Sequence, residues 1–148
     1  MKHLCQSGIP IVPCTSKTVP EILEIRSELG LDGAFVAENG ASLHVPLSWP
    51  LRCPMGAKVV GTYWVWQFGI PRQAIKDAFE AMNLTRSFCF KRLTEMTAAE
   101  VADVTKLDEE DADRARQRAH SETVVWGDSS EHLAEFISLL TSAGFCVS

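Results

Sequence analysis

Apolar positions along the chain alternate between strand-like runs and helical spacing. Ile9-Pro10-Ile11-Val12-Pro13-Cys14 is a short apolar run of strand type, whose two prolines suit an edge or a strand start. Thr18-Val19-Pro20-Glu21 reads as a capping box, with Thr18 as N-cap and Glu21 at the third helical position. Ile22, Ile25 and Leu29 then follow at helical spacing, and Gly30 is a natural stop. Ala34-Phe35-Val36-Ala37 reads as a strand, Glu38-Asn39-Gly40 as a turn, and Ala41 to Val45 as a second strand. The first 45 residues therefore predict β-α-β-turn-β.

Pro46, Pro50, Pro54 and Gly56 punctuate the next stretch and mark the best boundary between two units. Beyond it, Val59 to Phe68 predicts one strand rich in β-branched and aromatic residues, and Pro71 to Met82 a helix with Ile75, Ala78, Phe79 and Met82 on one face. Ser87 to Phe90 predicts a strand. Thr97-Ala98-Ala99-Glu100 is a second capping box, and Asp108 to Asp111 crowd a helix start, where the dipole favours negative charge. Thr123 to Trp126 predicts a strand. Ser129 or Ser130 caps a helix carrying Leu133, Phe136, Ile137 and Leu140, which Gly144 ends before a last strand at Phe145 to Val147. The second part reads β-α-β-α-α-β-α-β.

Composition narrows the class. With 46% apolar and 22% charged residues in 148, the chain has the balance of a folded protein rather than a disordered one. No apolar run approaches the roughly 18 residues of a membrane helix, and Met1 to Gly8 has no long apolar stretch of the kind a secretory signal needs. The net charge of −5 and the scattered Lys and Arg exclude a basic stripe, so nucleic acid is not an expected partner. The five cysteines (Cys5, Cys14, Cys53, Cys89, Cys146) lack C-x-x-C spacing and read as reduced thiols of a cytoplasmic protein. The four histidines lack ligand spacing, and zinc is not indicated.

Three local patterns could carry chemistry. Cys14-Thr15-Ser16-Lys17-Thr18 lies between a strand end and a capped helix, where hydroxyls, a lysine and free N–H groups suit a phosphate; by spacing alone it reads first as a polar turn with an N-cap, since caps are commoner than sites. Glu38-Asn39-Gly40-Ala41 can bring backbone close to a ligand, or simply close a hairpin. Arg114, Arg116 and Arg118 could clamp a carboxylate or phosphate, or form a solvated cationic helix end. Gly127-Asp128-Ser129-Ser130 resembles the start of a phosphatase metal motif, G-D-x-x-N-D, but continues as Glu131-His132 and reads as capping residues.

In this order, the patterns resemble the mannosyl-3-phosphoglycerate phosphatase family of the haloacid dehalogenase (HAD) superfamily. Gly8 to Thr18 resembles the family's second motif, G-I-P-V-V-x-C-[ST]-S-K-T. Glu38-Asn39-Gly40-Ala41 resembles its E-N-G-A turn. Met96 to Ala102, with Thr105 and Leu107, resembles a cap-helix signature, and Gln117-Arg118, Ser121-Glu122 and Trp126 resemble Q-R-x-x-S-E-P-x-x-W. The resemblance implies an α/β chain: residues 1–56 as a partial HAD-like Rossmannoid core (β-α-β-β) with linker, and 57–148 as most of an α+β cap domain, incomplete at its C-terminus.

The departures are as informative. The D-x-D-G-T strand that carries the family's aspartate nucleophile is absent from these residues, and so are the later lysine and the acidic segment that holds Mg²⁺. Thr123 stands where the family has proline. The resemblance implies Thr15 as the catalytic hydroxyl on the transferring phosphoryl group. It implies Ser16, Lys17, Glu38, Asn39, Arg118, Ser121 and Glu122 as substrate contacts, Mg²⁺ as the cofactor of the full-length family, and a phosphorylated sugar acid as the ligand. A complete enzyme would convert a glycosyl-3-phosphoglycerate to glycosylglycerate and phosphate. Without nucleophile or metal ligands, this chain alone is expected to be an inactive fragment. The alternatives are a non-catalytic module that binds a sugar phosphate or a protein, and an unrelated small α/β domain.

Overall fold

The computed structural model describes residues 9–50 and 55–147. The stretch Met1 to Gly8 with its Cys5, and Cys53 and Pro54 of the boundary, lie outside the described residues. Helix α1 (Val19–Leu29) starts at its capping box: Glu21 N–H donates to Thr18 Oγ1 at 3.4 Å, and Thr18 N–H to the Glu21 carboxylate at 2.8 Å. Gly30 ends it in the left-handed conformation, with φ 63°. Strand β1 (Phe35–Ala37) lies parallel to Cys14 through a single bridge. The apolar run 9–14 forms this bridge rather than a full strand, because Pro10 and Pro13 have no N–H to give a ladder. The result is still a β-α-β crossover around α1.

A 3₁₀ turn (Glu38–Gly40) leads into β2 (Ser42–Pro46), antiparallel to β1. Past the Pro-rich stretch, β3 (Lys58–Val60) and β4 (Tyr63–Gln67) join the same sheet, in the order β1-β2-β4-β3. The sheet thus runs across position 56. The single strand expected over 59–68 is a hairpin, since Gly61 takes φ 57° and turns the chain at Thr62. The core of this unit is Ile22, Phe35 and Ala37, with Val19 and Tyr63 against them.

The remaining elements form an α+β unit: α2 (Arg72–Thr85), β5 (Phe90–Arg92), α3 (Ala98–Thr105), α4 (Glu109–Ala115), β6 (Val124–Trp126) and α5 (Ser130–Ser142). Strands β5 and β6 pair antiparallel, and their side chains alternate faces. Phe90, Val124 and Trp126 pack on Ile75 and Phe79 of α2 and Phe136 and Leu140 of α5. Val125 packs instead on Leu93, Met96, Val101 and Ala112 beside α3 and α4. The strand expected at Ser87 begins only at Phe90. The last strand expected at Phe145 is not formed, because Phe145 N–H closes the end of α5 on Leu140 O at 3.0 Å and its ring joins the Phe136 cluster. The fold is mixed α/β, and no described helix is long and apolar enough to cross a membrane.

Candidate functional site at the meeting of two units

The β-α-β crossover sets two loops side by side. Pro13 O accepts Val36 N–H at 2.8 Å and Val36 O accepts Thr15 N–H at 3.3 Å, which aligns the ends of the two parallel segments. Beyond them, Glu38 N–H donates to Lys17 O at 3.0 Å and Asn39 N–H to Thr15 O at 3.0 Å. Thr15-Ser16-Lys17 and Glu38-Asn39-Gly40 therefore share one edge, at the carboxyl ends of their strands. Thr15 Oγ1 accepts Lys17 N–H at 3.2 Å and steadies the turn. Ser16 and Asn39 are exposed. Lys17 Nζ lies 2.8 Å from Glu21 Oε1. Burial pushes the Glu21 carboxyl up, but Lys17 and Thr18 donate to it and hold it below the usual carboxylate range.

The other wall comes from residues 114–121. Thr18 Oγ1, fully buried, donates to Arg114 O at 2.8 Å and fastens α1 to α4. Glu38 is 3% exposed and takes φ 48°, a left-handed conformation uncommon for a side chain of its size. Its carboxylate reaches across the units and accepts from Ala119 N at 2.9 Å, His120 N at 3.0 Å and Ser121 Oγ at 2.6 Å. Arg118 Nη1 donates in turn to Ser121 Oγ at 2.9 Å. Gly69 passes between the units at close quarters: a Cβ there would fall 2.7 Å from Ala41 Cβ and 2.9 Å from His120 Cβ.

Of the expected contacts, the structure brings Thr15, Ser16, Lys17, Glu38 and Asn39 to one edge and joins Arg118 and Ser121 to it through Glu38. Glu122 is occupied elsewhere, accepting from Thr94 N at 3.3 Å, Thr94 Oγ1 and Thr123 N at 3.1 Å. The three arginines do not act together. Arg114 and Arg116 pair with Asp111 and Asp113, three residues back, at 2.9 and 2.8 Å. Asp128 binds Cys89 N and Ser129 N, and lies 2.8 Å from His132 Nδ1. The Ser129 N–H, the His132 ring and the Cys89 N–H hold its carboxyl below the usual range, in keeping with a capping role. The long-range bonds of Thr18, Ala119 and His120 carry no sequence signal: backbone N–H groups have no side-chain signature, and a capping threonine looks complete without a second partner.

The residues at this edge do not fit Mg²⁺. A hard cation needs free oxygen acceptors, whereas the Glu38 carboxylate already accepts from three donors and the Glu21 carboxylate from Lys17 and Thr18. No group of three or more His, Cys, Asp or Glu able to hold a metal occurs among the described residues. The edge presents the exposed Ser16 hydroxyl and, on its two walls, the Lys17 ammonium paired with Glu21 and the Arg118 guanidinium bonded to Ser121. A scan against protein-family models finds no match for this chain.

Proposed function

We propose that the chain is the phosphate-loop and cap portion of a HAD-type phosphatase acting on a glycosyl-3-phosphoglycerate, and that by itself it binds the phosphorylated acid without turning it over. The observation that carries this reading is the pairing of Thr15-Ser16-Lys17 with Glu38-Asn39 at the carboxyl ends of parallel segments, where α/β folds receive their ligands. On this reading Thr15 and Ser16 give hydroxyls to the phosphoryl oxygens, Lys17 neutralises charge, and Glu38 positions Arg118 rather than touching substrate. The carboxylate nucleophile that phosphoryl transfer in this superfamily requires is not among these 148 residues, as no D-x-D-G-T run occurs in them. No residue set for the family's Mg²⁺ is offered by the described part of the chain either.

The test is calorimetric titration of 3-phosphoglycerate into the purified chain. Saturable binding is expected, weakened about tenfold or more by Lys17→Met, with no release of phosphate from a glycosyl-3-phosphoglycerate in the presence of Mg²⁺. Absence of saturable binding, or binding indifferent to Lys17→Met, would overturn the ligand assignment. Turnover by this chain would overturn the assignment of chemistry.

A further inference from the structure

Arg26 is a buried cation that pairs with no carboxylate among the described residues. It sits on α1 four residues after Ile22, on the apolar face, and is 3% exposed. Its guanidinium lies over the Phe35 ring, 4.7 Å from the centroid, and donates to Tyr63 Oη at 3.0 Å and to Gly33 O. A guanidinium has five N–H donors, and among the described residues these two bonds leave three without an acceptor; Nε is shielded from solvent and has no partner among those residues. No ion pair to Arg26 occurs among the described residues, although a buried charge left uncompensated is costly.

Arg26 and Tyr63 line a cavity of about 550 Å³. It opens between the C-terminal half of α1, the entry to β1, the end of β2 and the start of β4. That is the opposite end of the sheet from Glu38. Its other walls are of two kinds: Leu23, Leu31, Pro46 and Leu47 are apolar, while Ser27, Ser48 and Thr62 bring hydroxyls to the rim beside Asp32. The volume is that of a small-molecule site. One buried positive charge calls for one negative charge, and Asp32 at the rim disfavours a dianion. The apolar walls call for a hydrocarbon body, and a guanidinium matches a carboxylate in geometry.

We infer that this cavity is a second binding site, for a monoanionic carboxylate on a short apolar body, with Arg26 as the anion receptor and Tyr63 as its positioning partner. Tyr63 is the single tyrosine of the chain, so fluorine NMR of the fluorotyrosine-labelled protein reports on this site alone. Titration with hexanoate is expected to give a saturable shift, with inorganic phosphate at least about tenfold weaker. Thr62→Trp, which fills the mouth from the exposed β3–β4 turn, is expected to weaken hexanoate at least about tenfold while leaving circular dichroism unchanged. Arg26→Met should abolish the shift; if that variant does not fold, Thr62→Trp alone decides. No saturation by hexanoate, phosphate binding as tightly as hexanoate, or indifference to Thr62→Trp would each overturn the assignment.

Discussion

Single residues in this chain act through what surrounds them. His44 stacks on Phe35, with ring centroids 4.5 Å apart and planes 5° from parallel, and its Nε2 lies 3.0 Å from Ser42 Oγ. Burial, helped by the nearby His120 and Arg26, pushes its imidazole down from 6.5 to about 4. The unfolded chain therefore binds a proton at His44 that the folded chain refuses. Stability contributed by the neutral form is present above about pH 6.5 and is lost as pH falls toward about 4. Between neutral pH and pH 4.5 the loss amounts to about 2 kcal/mol, reduced by solvent screening at the partly buried ring. Urea unfolding at pH 7 and at pH 4.5 should show it in the wild type, and His44→Phe, which keeps the stack, should remove most of the difference. Equal pH dependence in the two proteins would show that His44 is not its source. The histidine itself is visible in the sequence, but nothing local says that its neighbours are an arginine and a second histidine instead of an acid.

Elements follow local rules more closely. Both capping boxes form as read. Thr97 Oγ1 accepts Glu100 N–H at 3.2 Å while the Glu100 carboxylate accepts Thr97 N–H at 2.8 Å, and Asp108 and Ser129 cap the two later helices. Thr97 is exposed, so Thr97→Ala removes a cap and little else, at about 1 kcal/mol. Phe136 is 2% exposed and meets Phe79, Phe88, Phe90 and Trp126. Phe136→Ala should cost about 3–5 kcal/mol, because it leaves a cavity as well as losing apolar burial. Chemical denaturation should rank the two variants in that order. Strands were less legible. The chain reverses at Gly61 within one continuous β-branched run, a decision made when β3 and β4 pair rather than by composition. Phe145 begins no strand because its N–H is spent on the helix before it.

At the scale of the molecule, the unit around Ile22 and Phe35 is tied to the unit holding the other two apolar clusters by polar clamps. Thr18 to Arg114 O and Glu38 to residues 119–121 do that work, with Gly69 allowing the close approach. The sheet of the first unit ends in β3, whose Val59 and Val60 are 56% and 54% exposed on an edge open to pairing. Sedimentation at tens of micromolar is therefore expected to show self-association, which Val60→Lys shifts toward monomer by placing a charge on that edge. A wild-type chain that stays monomeric would contradict this.

The sequence by itself determined the helices, their caps, the β-α-β entry and the turn at Glu38-Asn39-Gly40, since each depends on residues within a few positions of one another. It also placed Thr15, Ser16, Lys17, Glu38 and Asn39 in two loops, which the Cys14–Val36 bridge sets side by side. Only the tertiary structure decided what those groups are free to do. Glu38, expected as a substrate contact, bridges the two units, because backbone N–H groups some 80 residues away donate to it. Arg114 and Arg116 leave the expected clamp because nearer carboxylates claim them. Arg26, unremarked on an amphipathic helix, becomes a buried cation beside a cavity only when β4 brings Tyr63 to it. Hydrogen-bond partners and burial are long-range properties, and in this chain they set the chemistry of residues that local pattern could only locate.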